Sequence, residues 1–374
     1  MKIAFVNLTG GGVSGGGKKT LTKLLPLLKS LYKNNLVVFT HPMHLRMLTL
    51  VKREETKSWA KFDKYIGFLN LRANLIKEKA DIIFVPNSIH IKCKNIPTVI
   101  MVRNMESLTK PFKGNKLNAC IKNLLRKTIT KISCKKATKI IAVSNYVKDF
   151  LINIWDIPEK KVSVVYHGIE NKNNLRVQMP SKIKQMNISL FVFTAGSFVS
   201  YRGYEDIINA FSRSQFLNNY LVIAGNSIGN DNKYKNYILK LIDKHKLRSK
   251  VIFLGDLSQS EMNWCYRNCT VFCMTSRIEA CPNIVLEALA NGCISISVHS
   301  GPMPELFGDV AQYYSAGNID ELSKLILNNL KLDVKQREKI KQIAIERSKF
   351  YSWENSVKNL DIVFKEVYEN SFNK

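Results

Sequence analysis

Apolar runs of strand length alternate with helical segments along almost the whole chain. KIAFVNL, LVVFT, DIIFVP, PTVIMV, KIIAVS and VSVVY recur in the first half, and LFVFTA, YLVIAG, VIFLG, TVFCM and CISISV in the second. In the second half, YEDIINAFSR, KYKNYILKLIDKH, QSEMNWCYR and NIVLEALAN fall between them with helical spacing. Runs that are apolar throughout suit strands buried on both faces, so the alternation calls for parallel sheets covered by helices. At 374 residues and 45% hydrophobic content the chain outgrows a single core. The polar segment GIENKNNLRVQMPSKIKQMN, residues 168–187, separates the two series. The expected organisation is an α/β chain with one domain over 1–170, a linker over 171–187, a second domain over 188–350 and a helical segment over 351–374.

The stretch TGGGVSGGGKKT, Thr9 to Thr20, follows the first strand and offers two phosphate-loop readings. Gly12, Gly17 and Lys18 fit a triphosphate loop, but Lys19 stands where the hydroxyl belongs. Gly10, Gly12 and Gly15 fit a dinucleotide loop, which needs an acid at the end of the second strand. That strand ends LVVFTHP, and the later strands that could supply a magnesium-binding acid end in Pro86, Arg103 and Ser144. The first domain therefore reads as a nucleotide-fold scaffold without its usual nucleotide.

Charge is unevenly spread. Residues 1–180 carry 33 Lys and Arg against 10 Asp and Glu, while the remainder carries 24 against 19. No acid falls between Lys110 and Lys148, where Leu117, Ile121, Leu124, Leu125, Ile129 and Ile132 recur at helical spacing among lysines. Two readings stand: the apolar side packs on a sheet beneath solvated lysines, or the helix meets an anionic surface, membrane or nucleic acid. A signal-like leader and a spanning segment are both missing, which points to a cytoplasmic chain. The eight cysteines lack metal-ribbon or disulfide-scaffold spacing. Cys265, Cys269 and Cys273 stand four apart without a nearby histidine and read as small buried hydrophobes rather than a metal site.

The missing carboxylates appear in MTSRIEACPNIVLEALANG, residues 274–292. Glu279 lies in a loop after a strand, and Glu287 lies eight residues on, inside a helix that Pro282 opens and Asn291 with Gly292 ends. The unpaired amides and positive dipole end near Asn283 and Ile284 suit a diphosphate. Glu287, about a turn in, suits two ribose hydroxyls, and Glu279 faces the group on the distal phosphate.

Glu279, seven residues and Glu287 resemble the E-x7-E motif of the family 4 retaining glycosyltransferases. AGSFVSYRGYEDIINAF resembles that family's glycine loop, with Arg202 and Gly203 at its basic-glycine position; VIFLGDLSQSEMNWCYRNCTVFCMTSR, SGPMPELFGDVAQYYS, IIAVSNYVKDFL and VVYHGIE are also similar. The resemblance is strong over 190–330 and looser before it. It implies the GT-B fold, two Rossmann-like domains with parallel sheets facing across a cleft, the last helix crossing back to the first domain. Arg202 and Glu279 take the catalytic positions, the cation toward the departing diphosphate. Gly196, Ser197, Ala280, Cys281, Pro282, Asn283, Ile284 and Glu287 complete the donor site. Gly15, Gly16 and Gly17 form a loop facing the phosphates and acceptor, and Arg103 and Asn104 line the acceptor side. The chain departs from the family at Ser197, often arginine, at Arg103–Asn104, often histidine, and at His167, usually asparagine and here read as structural.

The implied reaction is metal-independent retaining transfer from a UDP- or GDP-sugar to a hydroxyl of a glycan or lipid-linked acceptor, in lipopolysaccharide, capsule or O-antigen synthesis. The leaving phosphate itself accepts the acceptor's proton, so catalysis is positioning and electrostatics. A lipid-linked acceptor gives residues 110–139 an anionic membrane surface to bind, at the inner face of the cytoplasmic membrane. The competing readings are a GT-B epimerase or hydrolase of nucleotide sugars and a basic nucleic-acid-binding protein. The second lacks the interleaved aromatics of a single-strand platform, so nucleic acid is not an expected partner.

Overall fold

A computed structural model of the chain describes residues 1–9, 15–48, 51–52, 55–60, 64–93, 95–109, 117–170, 176–213, 219–227 and 232–372. It divides into two units. The first comprises Met1–Leu108, Ile121–Gly168 and Trp353–Lys374, and the second Thr109–Cys120 and Ile169–Ser352.

Seven parallel strands form the first sheet: β1 (Ile3–Val6), β2 (Leu36–Thr40), β3 (Thr56–Ser58), β4 (Ile82–Val85), β5 (Thr98–Val102), β6 (Lys139–Ala142) and β7 (Val162–Val164). Their order is β3-β2-β1-β4-β5-β6-β7. Ile3 pairs with Leu36 on one side and Ile82 on the other, so the winding reverses between β1 and β4. Every residue of β1, β2, β4 and β5 is buried, as strands covered on both faces must be. The Trp353–Phe372 helix belongs to this unit. Its Phe364 ring lies 5.1 Å from that of Phe84, and Glu366 pairs with the Lys139 ammonium at 2.6 Å.

Six parallel strands form the second sheet: β8 (Phe191–Ala195), β9 (Tyr220–Ala224), β10 (Val251–Gly255), β11 (Val271–Met274), β12 (Ser295–Val298) and β13 (Ala311–Tyr314), ordered β10-β9-β8-β11-β12-β13. Val192 and Phe193 of β8 pair with Val271 and Phe272 of β11, and the winding reverses between these two strands. In open α/β sheets, ligands sit outside the carboxyl ends of the strands at such a reversal.

Two of the four edge strands, β3 and β13, join the eleven runs evident in the sequence. The segment expected as a linker contains a helix, Ser181–Gln185, with Ile183 buried. Gln178 N donates to Ser260 O at 3.0 Å and Asn263 Nδ2 to Arg176 O at 2.9 Å, which fastens residues 176–187 to the second unit. The Leu117–Lys136 helix also departs from its simplest reading. Ile121, Leu124, Leu125, Ile129 and Ile132 face solvent, while Thr130, Ser133 and Cys134 are buried. Residues 110–116, the start of the expected basic segment, lie outside the described residues. Among the described residues no helix is long and apolar enough to cross a membrane.

Candidate active site

Two loops leave the adjacent carboxyl ends of β8 and β11 and are fastened to each other. Gly196 follows β8 with φ of 140°, and its carbonyl accepts from the Tyr204 hydroxyl at 2.8 Å. Gly203, at φ 63°, lies so close to the second loop that a Cβ there would stand 2.6 Å from the Thr275 carbonyl oxygen. Only glycine accepts both that backbone and that approach. Thr275 Oγ1 donates to Arg202 O at 2.6 Å and Arg277 N to Tyr201 O at 2.8 Å. The Arg277 guanidinium reaches Asp206 at 2.7 Å and Glu205 at 3.1 Å. Asp206 also accepts from the Tyr314 hydroxyl at 3.1 Å and from Gly317 N at 3.2 Å.

This scaffold holds three ionic groups. Arg202 pairs with Glu279, whose Oε1 also accepts from Ser276 Oγ at 2.9 Å. Both side chains are mostly buried. Burial works against the Arg202 charge, but Glu279 together with Tyr201, Tyr204 and Tyr266 outweighs it, and the guanidinium is held more basic than usual. Its Nε is buried without a hydrogen-bond acceptor among the described residues, an uncommon state for a native donor and one that a ligand would relieve. Glu287 sits in the Asn283–Ala290 helix, 5% exposed, and accepts from the Tyr266 hydroxyl at 3.1 Å. Burial, then the Glu287 carboxylate, pushes the Tyr266 phenol well up, so it remains a donor. Pro282 occupies the N-cap position and no side chain caps the helix, which leaves its first turn suited to an anion. Ala280 and Cys281 are buried beside it.

In the first unit, Gly15, Gly16 and Gly17 open a short helix, Gly15–Lys19, after β1. Gly10 and Gly12 lie outside the described residues. Arg103, just past β5, donates from Nη1 to Thr20 Oγ1 at 2.9 Å, and burial lowers its basicity. Asn104 is exposed, and its Oδ1 accepts from Glu106 N at 2.8 Å. His167 is pushed down to about 3 by burial and then by Arg103 and Lys19, so the imidazole is neutral at physiological pH. Asn7, directly after β1, donates from Nδ2 to Thr40 Oγ1 at 3.0 Å and meets His44 Nδ1 at 3.2 Å, while Trp59 Nε1 donates to Asn7 O at 2.6 Å.

Comparison with known families now decides the assignment. Residues 180–347 match the model of glycosyl transferases group 1, and residues 38–172 match that of glycosyltransferase family 4. The chain belongs to the family 4 glycosyltransferases. A glycosyltransferase of Methanocaldococcus jannaschii is 26% identical over 265 residues, covering 64% of this chain and 62% of that one. The O-antigen biosynthesis glycosyltransferase WclY of Escherichia coli is 26% identical over 225 residues, 58% of each chain. These matches thus span about three fifths of the curated relatives' length. The fold matches a glycosyltransferase structure from Rickettsia africae with a TM-score of 0.73 at 18% identity, over 99% of both chains. It matches Anabaena HepE, solved with UDP-glucose, at 0.74 and 16% identity, over 98% of this chain and 100% of that one. The architecture is that of the GT-B glycosyltransferases.

Within this family 4 chain, the second unit brings Arg202 and Glu279 into contact and sets Glu287 on the adjoining helix, with Gly196, Ser197 and residues 280–282 in the same two loops and Asn283 and Ile284 opening that helix. Arg103, Asn104 and the three glycines belong to the first unit. Four supporting groups escaped the sequence reading: Tyr266 beneath Glu287, Ser276 on Glu279, the Arg277–Asp206 pair, and Asn7 with His44. Ser276 stands three residues before Glu279, a spacing that points to it. Tyr266 lies 21 residues before Glu287 on another helix, with no local signal.

Proposed function

We propose that this chain transfers a sugar, with retained anomeric configuration, from a nucleoside-diphosphate sugar to a hydroxyl of a glycan or lipid-linked acceptor in cell-surface polysaccharide assembly. The observation that carries the proposal is the Arg202–Glu279 pair with Glu287 alongside, at the winding reversal of the second sheet. The first turn at Asn283 and Ile284 receives the diphosphate, and Glu287 takes the ribose hydroxyls. On donor binding, Arg202 trades part of its contact with Glu279 for a phosphate oxygen. That exchange releases Glu279 to accept from the sugar's hydroxyls. The acceptor oxygen bonds to the anomeric carbon on the face from which the phosphate oxygen departs. Its proton passes to that oxygen, and the nucleoside diphosphate leaves. Arg202 and the helix amides are positioned to stabilise the developing negative charge. The acceptor side is assigned to Arg103, Asn104 and the Gly15–Gly17 turn of the first unit. UDP is favoured as the nucleotide because the similar HepE fold was solved with UDP and glucose, and WclY's name supports a surface-polysaccharide acceptor.

Thermal-shift titration tests the donor site. UDP at about 100 times its dissociation constant adds roughly 2.7 kcal/mol to folded stability, and Arg202→Ala removes that gain. If no nucleoside diphosphate raises the melting temperature, the reading fails. Rapid acceptor-free turnover of UDP-glucose to glucose and UDP would instead identify a hydrolase.

A further inference from the structure

The Gln259–Asn268 and Asn283–Ala290 helices lead into the amino ends of β11 and β12, the end of the second sheet opposite the donor loops. A cysteine follows each helix. Cys269 caps the carboxyl end of the first, and Cys293 comes after the Asn291–Gly292 turn that ends the second. Their Sγ atoms are 3.4 Å apart, and both thiols reach Tyr266 O, at 3.5 and 3.1 Å. A disulfide holds its sulfurs ~2.0 Å apart, so about 1.4 Å of approach separates this pair from a bond. Cys269 is half-buried and Cys293 is 2% exposed. Burial, and then Cys269, pushes the Cys293 thiol well up. Both cysteines line a cavity of about 510 Å³ together with Arg267, Arg337 and Lys341, and among the described residues no Asp or Glu lines it. Arg337 donates to Thr270 O at 3.0 Å, Asn329 O at 2.5 Å and Leu332 O at 3.2 Å, neutral carbonyls that leave its charge uncancelled. It interacts electrostatically with Cys269, as Lys341 does with Cys293.

From this arrangement we infer that Cys269 and Cys293 are a redox-active pair, which closes to a disulfide at the expense of an anionic low-molecular-weight disulfide of the glutathione class admitted to the cavity. Cys269 reacts first, because it is the more accessible thiol and Cys293 is held protonated by burial. Its thiolate attacks one sulfur of the small disulfide, the bond between the two small sulfurs breaks, and one small thiol leaves with a proton. Cys293 Sγ then gives up its proton, bonds to Cys269 Sγ and expels the second small thiol. The chain loses two electrons and two protons, and the small disulfide gains both. Arg267, Arg337 and Lys341 supply the attraction for carboxylates on the incoming molecule. A metal does not account for the cluster, since among the described residues no group of three or more His, Cys, Asp or Glu side chains could hold one. The inference stands whether or not the donor reading holds.

Peptide mapping of the full chain tests it. The reduced, folded chain is incubated with oxidised glutathione, which is anionic, or with cystamine, a cationic disulfide, then alkylated and digested without reductant. A Cys269–Cys293 linkage should be the main product of the folded chain. At low salt it should form about tenfold faster with oxidised glutathione than with cystamine, after division by the same ratio for the chain unfolded in urea. Cys293→Ala, which keeps the site apolar, should leave glutathione on Cys269 as a stable mixed disulfide. Cys269→Ser should leave Cys293 unmodified over the same time. If the folded wild-type chain yields no Cys269–Cys293 linkage, or another cysteine pair links first, the inference is overturned. Equal normalised rates with the two disulfides also overturn it, because the cations then select nothing. So does glutathione found on Cys293 in the Cys269→Ser chain, which would reverse the order of attack.

Discussion

The Asn283–Ala290 and Leu117–Lys136 helices distribute polarity in opposite ways. The first is buried along Val285 to Ala290 and carries a carboxylate, Glu287, inside that apolar surround. The second turns aliphatic side chains to water and buries a threonine, a serine and a cysteine. Each places against the fold the groups that a packing argument alone would place elsewhere. A buried carboxylate is costly unless it is hydrogen-bonded, and an exposed aliphatic stripe gains nothing in the isolated chain. Glu287 already accepts from the Tyr266 hydroxyl, and on the proposed reading the ribose hydroxyls become its further donors.

The same substitution made in both helices separates them most sharply. Leu286→Ala removes a fully buried side chain and should cost about 2–5 kcal/mol in denaturant unfolding. Leu124→Ala, at 64% exposure, should stay within about 0.5 kcal/mol of wild type. Equal losses would erase the distinction between the helices. Glu287→Gln comes next, because it keeps the shape and removes the charge-assisted contact with the ribose. Donor affinity by calorimetry should fall about 100-fold, near 3 kcal/mol, and unchanged affinity would move the ribose elsewhere. Tyr266→Phe tests the support beneath that carboxylate. Removing a donor from a buried carboxylate is expected to cost about 1.5–3 kcal/mol, read as lower stability and weaker UDP binding together. If stability falls while UDP affinity holds, Tyr266 supports the fold alone.

Central elements were legible because burial on both faces leaves a continuous apolar run, as in IIFV of β4 or VFCM of β11. TKS of β3 and AQYY of β13, edge strands partly open to solvent, have no such run, whereas VIFLG of the edge strand β10 keeps one. The helix at 117–136 was legible as amphipathic, but periodicity gives the stripe and not the side on which the core lies. Small polar residues can be buried against a sheet when their hydroxyls find carbonyls, and nothing in the spacing announces that. The donor loops were legible through Glu279, Glu287, Arg202 and Gly203, all within two short stretches. The Tyr266–Glu287 and Arg277–Asp206 contacts were not, because each joins residues from separate elements that only strand order makes neighbours.

His167 offers the smallest effect and a check on how the first unit tolerates a half-buried imidazole beside two cations. Its imidazole is pushed down to about 3 by burial, with Arg103 and Lys19 adding to the shift. In the unfolded chain it titrates near 6.5. Between those values the unfolded chain binds a proton that the folded chain does not. Stability attributable to this residue therefore falls as pH drops below about 6.5, and it is restored as pH rises back through that point. His167→Asn, the residue more usual in the family at this position, removes the term. The variant should lose up to about 1 kcal/mol less than wild type between pH 7.5 and 5.5 in urea titrations. Parallel acid limbs for the two proteins would mean that His167 is protonated in the fold, against Arg103 and Lys19. Its neutral state, and its assignment as a structural rather than proton-carrying residue, would then both be wrong.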